Sequence, residues 1–252
     1  MKLQAIRFLK TTFIRLRLHV IFSWLSPFFQ QMLWMARLSK WVSENKKIFF
    51  NDFPSEWDYK KRFGLYDYLI EKEALDSAIN YLEFGVASGA SFYWWMTKNT
   101  NAESRFYGFD TFTGLPEDFG PYKKGTFSSG NELPKVKDER GQFFQGLFQQ
   151  TLPGFLKTFD NQKKTVLMLD ADLYTATLFT LASFAPHLKE GDIILFDEFV
   201  VPTHEFKAYK DFIDSYYFDL ELIGAANNYY FTAFKVKKAL PESVNLQGLM
   251  IK

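Results

Sequence analysis

From residue 79 onward the chain alternates short apolar runs with longer stretches, and this pattern restricts it to a largely parallel sheet covered on both faces. The candidate strands are Asn80 to Phe84, Arg105 to Phe109, Gln142 to Gln145, Thr165 to Leu169, Asp192 to Phe196, Leu220 to Gly224 and Tyr230 to Val236. The first five are joined by segments long enough to cross over. Only Ala225 to Tyr229 separate the last two, and so short a gap requires a hairpin. The expected fold class is therefore α/β: a seven-stranded, mostly parallel, doubly wound sheet ending in an antiparallel hairpin. A nicotinamide-binding sheet is parallel throughout, which disfavours an oxidoreductase. At 252 residues the chain holds one such domain and a short appendage, and its 30 Phe supply a large core. With no cysteine there is no disulfide framework and no thiolate metal site.

The appendage is marked by charge. Residues 1 to 47 carry nine Lys or Arg against Glu44 alone, so a net charge of +1 divides into +8 there and −7 in the remainder. The basic residues are confined to one end, a distribution that implies an added segment and no nucleic-acid partner. The expected boundary puts a helical appendage at 1–50 and the folded domain at 51–252. A helical period over residues 3 to 20 places Ile6, Leu9, Phe13, Leu16 and Val20 on one stripe, with Arg7 and Arg15 opposite. Pro27, Gln30 and Gln31 interrupt the aromatic stretch that follows before it reaches the length of a membrane span, and no small-residue cleavage site follows it. The expectation is a cytoplasmic chain whose first segment has two open readings. It lies on an anionic membrane, with Trp24, Trp34 and Trp41 at the boundary, or it packs on protein, including a second copy in a homo-oligomer.

Chemistry-bearing residues gather at the carboxyl ends of the candidate strands, the edge at which open α/β sheets bind ligands. Glu83, Gly85, Ser88 and Gly89 follow the first strand in the spacing acid-x-Gly-x-x-x-Gly and open a helix whose free amides favour an anion; a plain strand-to-helix turn is the competing reading. Asp110 closes the second strand, where a carboxylate accepts hydrogen bonds from both hydroxyls of a ribose, or is merely solvated. Asp170 and Asp172 end the fourth strand, and Asp197 and Glu198 the fifth. Four such carboxylates repel one another, and a divalent cation with oxygen ligands removes the conflict, unless Asp172 and Asp197 instead cap helices. His204 follows in a loop leaving this edge, placed either to accept a hydroxyl proton or simply at the surface. Thr111 to Gly141, rich in Gly and Pro, is too long for an idle connection and reads as an active-site loop.

Five of these segments, LEFGVASG (Leu82 to Gly89), GFDTFTGLP (Gly108 to Pro116), FQQTLP (Phe148 to Pro153), LDADLY (Leu169 to Tyr174) and FDEF (Phe196 to Phe199), together resemble the macrocin O-methyltransferase family. The resemblance covers about residues 60 to 237. It implies the class I methyltransferase fold, S-adenosylmethionine as cofactor, Mg2+ (or Mn2+) as metal, and methyl transfer to a hydroxyl of a sugar in a glycan or natural product. It further implies Asp170, Asp197 and Glu198 as metal ligands, with Glu198 where the family often has Asp, and Asp172 as a second acid that orients a metal-bound water or the sugar. The positions of the residues themselves, and not the resemblance, make His204 or Asp172 the expected proton acceptor. Two rivals stand beside it: a catechol-type or other small-molecule O-methyltransferase, and a membrane-attached scaffold without turnover.

Overall fold

The computed structural model describes residues 2–239. The chain divides into two compact units, Met1–Glu44 and Asn45–Lys252. The boundary falls a few residues ahead of the expected one because a short strand, β1 (Phe50–Asn51), pairs in parallel with Gly224 and Ala225 and so belongs to the sheet.

In the first unit, α1 (Lys2–Arg15) is followed by α2 (His19–Phe22), a 3-10 turn over Ser23–Leu25 and α3 (Ser26–Glu44). The single helix expected over residues 3 to 20 is thus corrected: it stops at Arg15, and Arg17 takes a left-handed backbone (φ +50°) that turns the chain. Val20 leaves the stripe begun by Ile6 and Leu9, while Phe13 and Phe22 stack across the break at 5.7 Å.

The second unit continues with α4 (Lys61–Glu73), β2 (Ile79–Phe84), α5 (Ala90–Lys98), β3 (Arg105–Asp110), β4 (Gly141–Gln145), α6 (Phe148–Leu156), β5 (Lys164–Leu169), α7 (Tyr174–Phe184), β6 (Ile193–Phe196), α8 (Glu205–Tyr216), β7 (Asp219–Ala226) and β8 (Phe231–Lys238). All seven expected strands are present, and β1 makes an eighth; with two residues it carries no alternation from which it could have been read. The order is β1-β7-β8-β6-β5-β2-β3-β4, with β8 alone running antiparallel to its neighbours.

Strand periodicity divides the core. Ile79 and Tyr81 of β2, Val166 and Met168 of β5, and Ile193 and Leu195 of β6 pack with Leu65 and Leu69 of α4 and Phe92 and Trp95 of α5. The alternate residues turn to the other face, where Phe84 meets Phe148 of α6 and Phe184 of α7, and Phe196 meets Tyr209 of α8. Both faces are covered, which is why the central strands read as near-continuous apolar runs. The connection from β3 to β4 crosses over without a helix.

Two features of this frame position the site. The turn from β7 to β8 holds Asn227, Asn228 and Tyr229 in left-handed conformations, and the two Asn side chains accept the backbone N–H groups of Asp58 and Ser55. The hairpin therefore ties residues 55 to 58 against the carboxyl edge of the sheet. At that edge the ladder ends with Asp170 N–H donating to Phe84 and Asp197 N–H to Leu169, which sets the two carboxylates side by side.

Candidate active site

A cavity of about 440 Å³ opens at the carboxyl edge, within the size range of small-molecule sites. Glu83, Gly85, Ser88, Asp110, Asp170, Asp172, Asp197 and Glu198 all line it. Gly89 is the residue from which α5 departs. The structure thus brings together the glycine turn and the acidic edge that were expected from separate motifs. The long loop contributes Gly114, Leu115, Tyr122 and Phe127 to the same lining.

The turn is built for close approach. A Cβ on Gly85 (φ +96°) would stand 1.7 Å from the carbonyl oxygen of Asp170, so this position admits only glycine and the turn presses directly on the acidic edge. Asp110 organises the turn from below. Its Oδ2 accepts the N–H groups of Val86 and Ala87, both at 2.8 Å, and its Oδ1 accepts that of Phe112 at 2.7 Å. Asp110 is thus tied to the backbone by three hydrogen bonds and is more than a solvated acid at a strand end. Glu83 is fully buried and accepts the Tyr81 hydroxyl at 2.5 Å. Burial pushes its carboxyl up to about 8 against the pull of that hydrogen bond.

At the acidic edge the structure adds a residue that no motif indicated. Arg62 of α4 is buried, donates to Asp197 Oδ2 at 2.9 Å and to Ser91 Oγ at 3.0 Å, and lies 3.7 Å from Asp170 Oδ2. Its guanidinium also stacks on the Tyr59 ring at 3.7 Å. Burial opposes the charge, yet Asp197, then Tyr66 and Asp170, hold the Arg62 pKa above its ordinary value. Besides the divalent cation or helix capping expected from the sequence, a guanidinium therefore supplies part of the positive charge that these carboxylates need. Arg62 lies far upstream in an unremarkable amphipathic helix, and only its burial distinguishes it from a surface arginine.

Among the described residues, no three acidic or imidazole side chains stand together as a ready ligand set. The expected trio is not assembled as a ligand set, because two of the acids are drawn to Arg62 and the third to Tyr230. Asp170 and Asp197 both lean on Arg62, while Glu198 Oε1 accepts the Tyr230 hydroxyl at 2.6 Å. Each acid of the pair nevertheless keeps one oxygen in reserve. Asp197 Oδ1 and Glu198 Oε2 are buried without a donor, an expensive state for a carboxylate oxygen and one that a hard cation relieves. The donor chemistry thus fits a divalent ion, although the side chains are placed for Arg62 and Tyr230. Burial, reinforced by Asp170, pushes the Asp197 pKa well up, and burial likewise raises Glu198.

Asp172 lines the cavity with a left-handed backbone (φ +58°), a costly conformation in a turn that aims its carboxylate inward. It caps no helix: α7 starts beyond Leu173. Burial, then Asp170 and Glu198, push its pKa up to about 8. His204, by contrast, is not among the residues lining the cavity. It sits at the start of α8, where Nδ1 accepts the Tyr174 N–H at 3.3 Å and the ring meets Phe119 edge-on at 4.8 Å. Burial lowers its pKa. The proton-acceptor role expected for His204 therefore finds no support in this geometry; the imidazole braces two loops. Glu205, also unforeseen, is buried and accepts the Glu198 N–H at 3.0 Å.

Residues 82–199, a little under half the chain, match the family model described as a methyltransferase domain. That interval contains the whole glycine turn and all four edge carboxylates. Among solved structures, the calicheamicin methyltransferase CalS11 is 21% identical, with a TM-score of 0.55, covering 81% of this chain and 91% of that one. The O-methyltransferase NovP is 18% identical, with a TM-score of 0.58, covering 71% and 80%. An apo structure of CalS11, described as a TDP-rhamnose 3'-O-methyltransferase, is 22% identical with a TM-score of 0.50, covering 81% and 93%. The fold is the class I methyltransferase fold. A comparison with curated proteins finds no match.

Proposed function

We propose that the chain is an S-adenosylmethionine-dependent O-methyltransferase acting on a sugar hydroxyl, in the manner of the macrocin O-methyltransferases it resembles. The observation that carries this reading is the single cavity shared by the glycine turn and the four carboxylates: one wall is suited to a nucleoside amino acid, the other to a hydroxylated acceptor. The family match over 82–199 and the sugar O-methyltransferase named among the structural neighbours support it.

In this reading Asp110 holds the nucleoside end of the cofactor, the Gly85 turn lets its amino-acid end approach the backbone closely, and Glu83 faces its ammonium group. S-adenosylmethionine supplies the methyl group. Asp170, Asp197 and Glu198 are the residues that would hold Mg2+ (or Mn2+), which lowers the pKa of a hydroxyl beside it. Asp172 is the residue placed to accept the acceptor's proton as its oxygen gains the methyl group and the methyl–sulfur bond of the donor breaks, with S-adenosylhomocysteine as the leaving group. In the free protein, burial and acidic neighbours favour the neutral form of Asp172, and a positive charge held beside those acids would favour the carboxylate. Arg62 keeps Asp197 in place, and Tyr230 does the same for Glu198. Positioning of acceptor and methyl donor in line supplies much of the acceleration.

The test is calorimetry followed by an acceptor panel. S-adenosylhomocysteine should bind and NAD should not. Nucleotide sugars should be methylated in preference to catechols, with turnover lost in chelator and restored by magnesium. Failure of S-adenosylhomocysteine to bind, with or without magnesium, would sink the reading.

A further inference from the structure

Residues 2–44 bury a single side chain, Trp34. Every other apolar group of α1, α2, the 3-10 turn and α3 is partly or fully exposed, including Phe8 at 69%, Val20 at 70% and Trp24 at 73%. A segment with so little core does not hide its apolar surface by folding on itself, and exposed apolar surface on this scale marks a docking face. The same segment carries Lys2, Arg7, Lys10, Arg15, Arg17, Arg37 and Lys40 against Glu44 alone. No helix among the described residues is long and apolar enough to cross a membrane.

We infer that this first unit docks on an anionic lipid surface, lying in the headgroup region without crossing it. A bilayer surface meets both demands at once. Its acyl boundary receives Leu, Phe and Ile side chains, while its phosphates receive the Lys and Arg heads, whose long stems let them reach outward from the same helix. Trp24 suits that boundary, being apolar in body and carrying one N–H. The break at Arg17 allows α1 and α3 to lie flat independently. A second copy of the chain meets the apolar demand but sets one basic segment against another, and nucleic acid meets only the charge. The inference is independent of the proposed reaction.

The experiment is co-sedimentation of the full chain with vesicles of mixed phosphatidylglycerol and phosphatidylcholine, and with phosphatidylcholine alone, at low and high salt. Binding to the anionic vesicles is expected, weaker at high salt and much weaker without the anionic lipid. Replacing Arg7, Lys10 and Arg15 by Gln should lower the partition about fivefold per residue, roughly a hundredfold together. Trp24→Ser with Phe28→Ser should weaken binding while leaving its salt dependence in place. S-adenosylhomocysteine binding by each variant checks that the second unit is intact. No partition onto anionic vesicles at low salt overturns the inference. So does a salt-resistant dimer in light scattering that the Trp24→Ser, Phe28→Ser variant dissociates, since the covering surface is then a second copy.

Discussion

Around the glycine turn, Asp110 receives three backbone N–H groups at 2.7 to 2.8 Å, so both of its oxygens are engaged before any ligand arrives. Across the cavity, Asp197 Oδ1 and Glu198 Oε2 are buried and receive none. One wall is finished by the backbone; the other is held by two side chains, Arg62 and Tyr230, that satisfy half of it. The difference teaches where the protein stores its binding capacity. A preorganised turn gives shape and orientation at little cost, whereas an acidic cluster short of positive charge is costly alone and gains most when a cation or cationic ligand enters.

The strongest way to break this contrast is to remove the cation the protein itself provides. Arg62→Met leaves Asp170 and Asp197 buried beside each other without compensation, and should cost about 3–5 kcal/mol of stability in urea denaturation, the range for orphaning a buried charge. Adding Asp197→Asn to that variant should recover part of the loss. If Arg62→Met costs less than about 1 kcal/mol, the guanidinium is not what holds the edge together.

A smaller effect is expected at the finished wall. Asp110→Ala removes the acceptor of the Val86, Ala87 and Phe112 amides and should weaken S-adenosylhomocysteine binding by about 1–3 kcal/mol in calorimetry. Unchanged affinity would show that the turn keeps its shape without the carboxylate.

The smallest effect sharpens the comparison within the turn itself. Glu83 has its pKa raised to about 8 by burial, so at neutral pH it is largely protonated in the free protein. A ligand ammonium favours the ionised form, so binding expels a proton, and S-adenosylhomocysteine affinity should rise with pH, by up to about tenfold per unit, and level off near pH 8. Calorimetry in buffers of different ionisation enthalpy checks the proton release. Glu83→Gln should remove the slope; a slope that survives in that variant assigns it to another group.

Much of this was legible in the sequence because it rests on local pattern. The seven longer strands follow from apolar runs whose period and length a sheet buried on both faces imposes, and the hairpin from a gap too short for anything else. The Gly85 turn and the acids at strand ends could be read as one edge because strands running parallel deliver their carboxyl ends to the same side. The two-residue strand β1 could not be read, since pairing with β7 and not periodicity makes it a strand. The placement of the His204 ring could not be read for a similar reason: its distance along the chain from Glu198 says nothing of where the ring points, and Tyr174 and Phe119 decide that. Arg62 and Tyr230 come from a helix before the first long strand and a turn after the seventh strand, and neither sits in a motif. That they share one cavity edge with Asp197 and Glu198 is a property of the packed sheet, because contacts across that much chain are set by which faces must be buried together and not by spacing along the sequence.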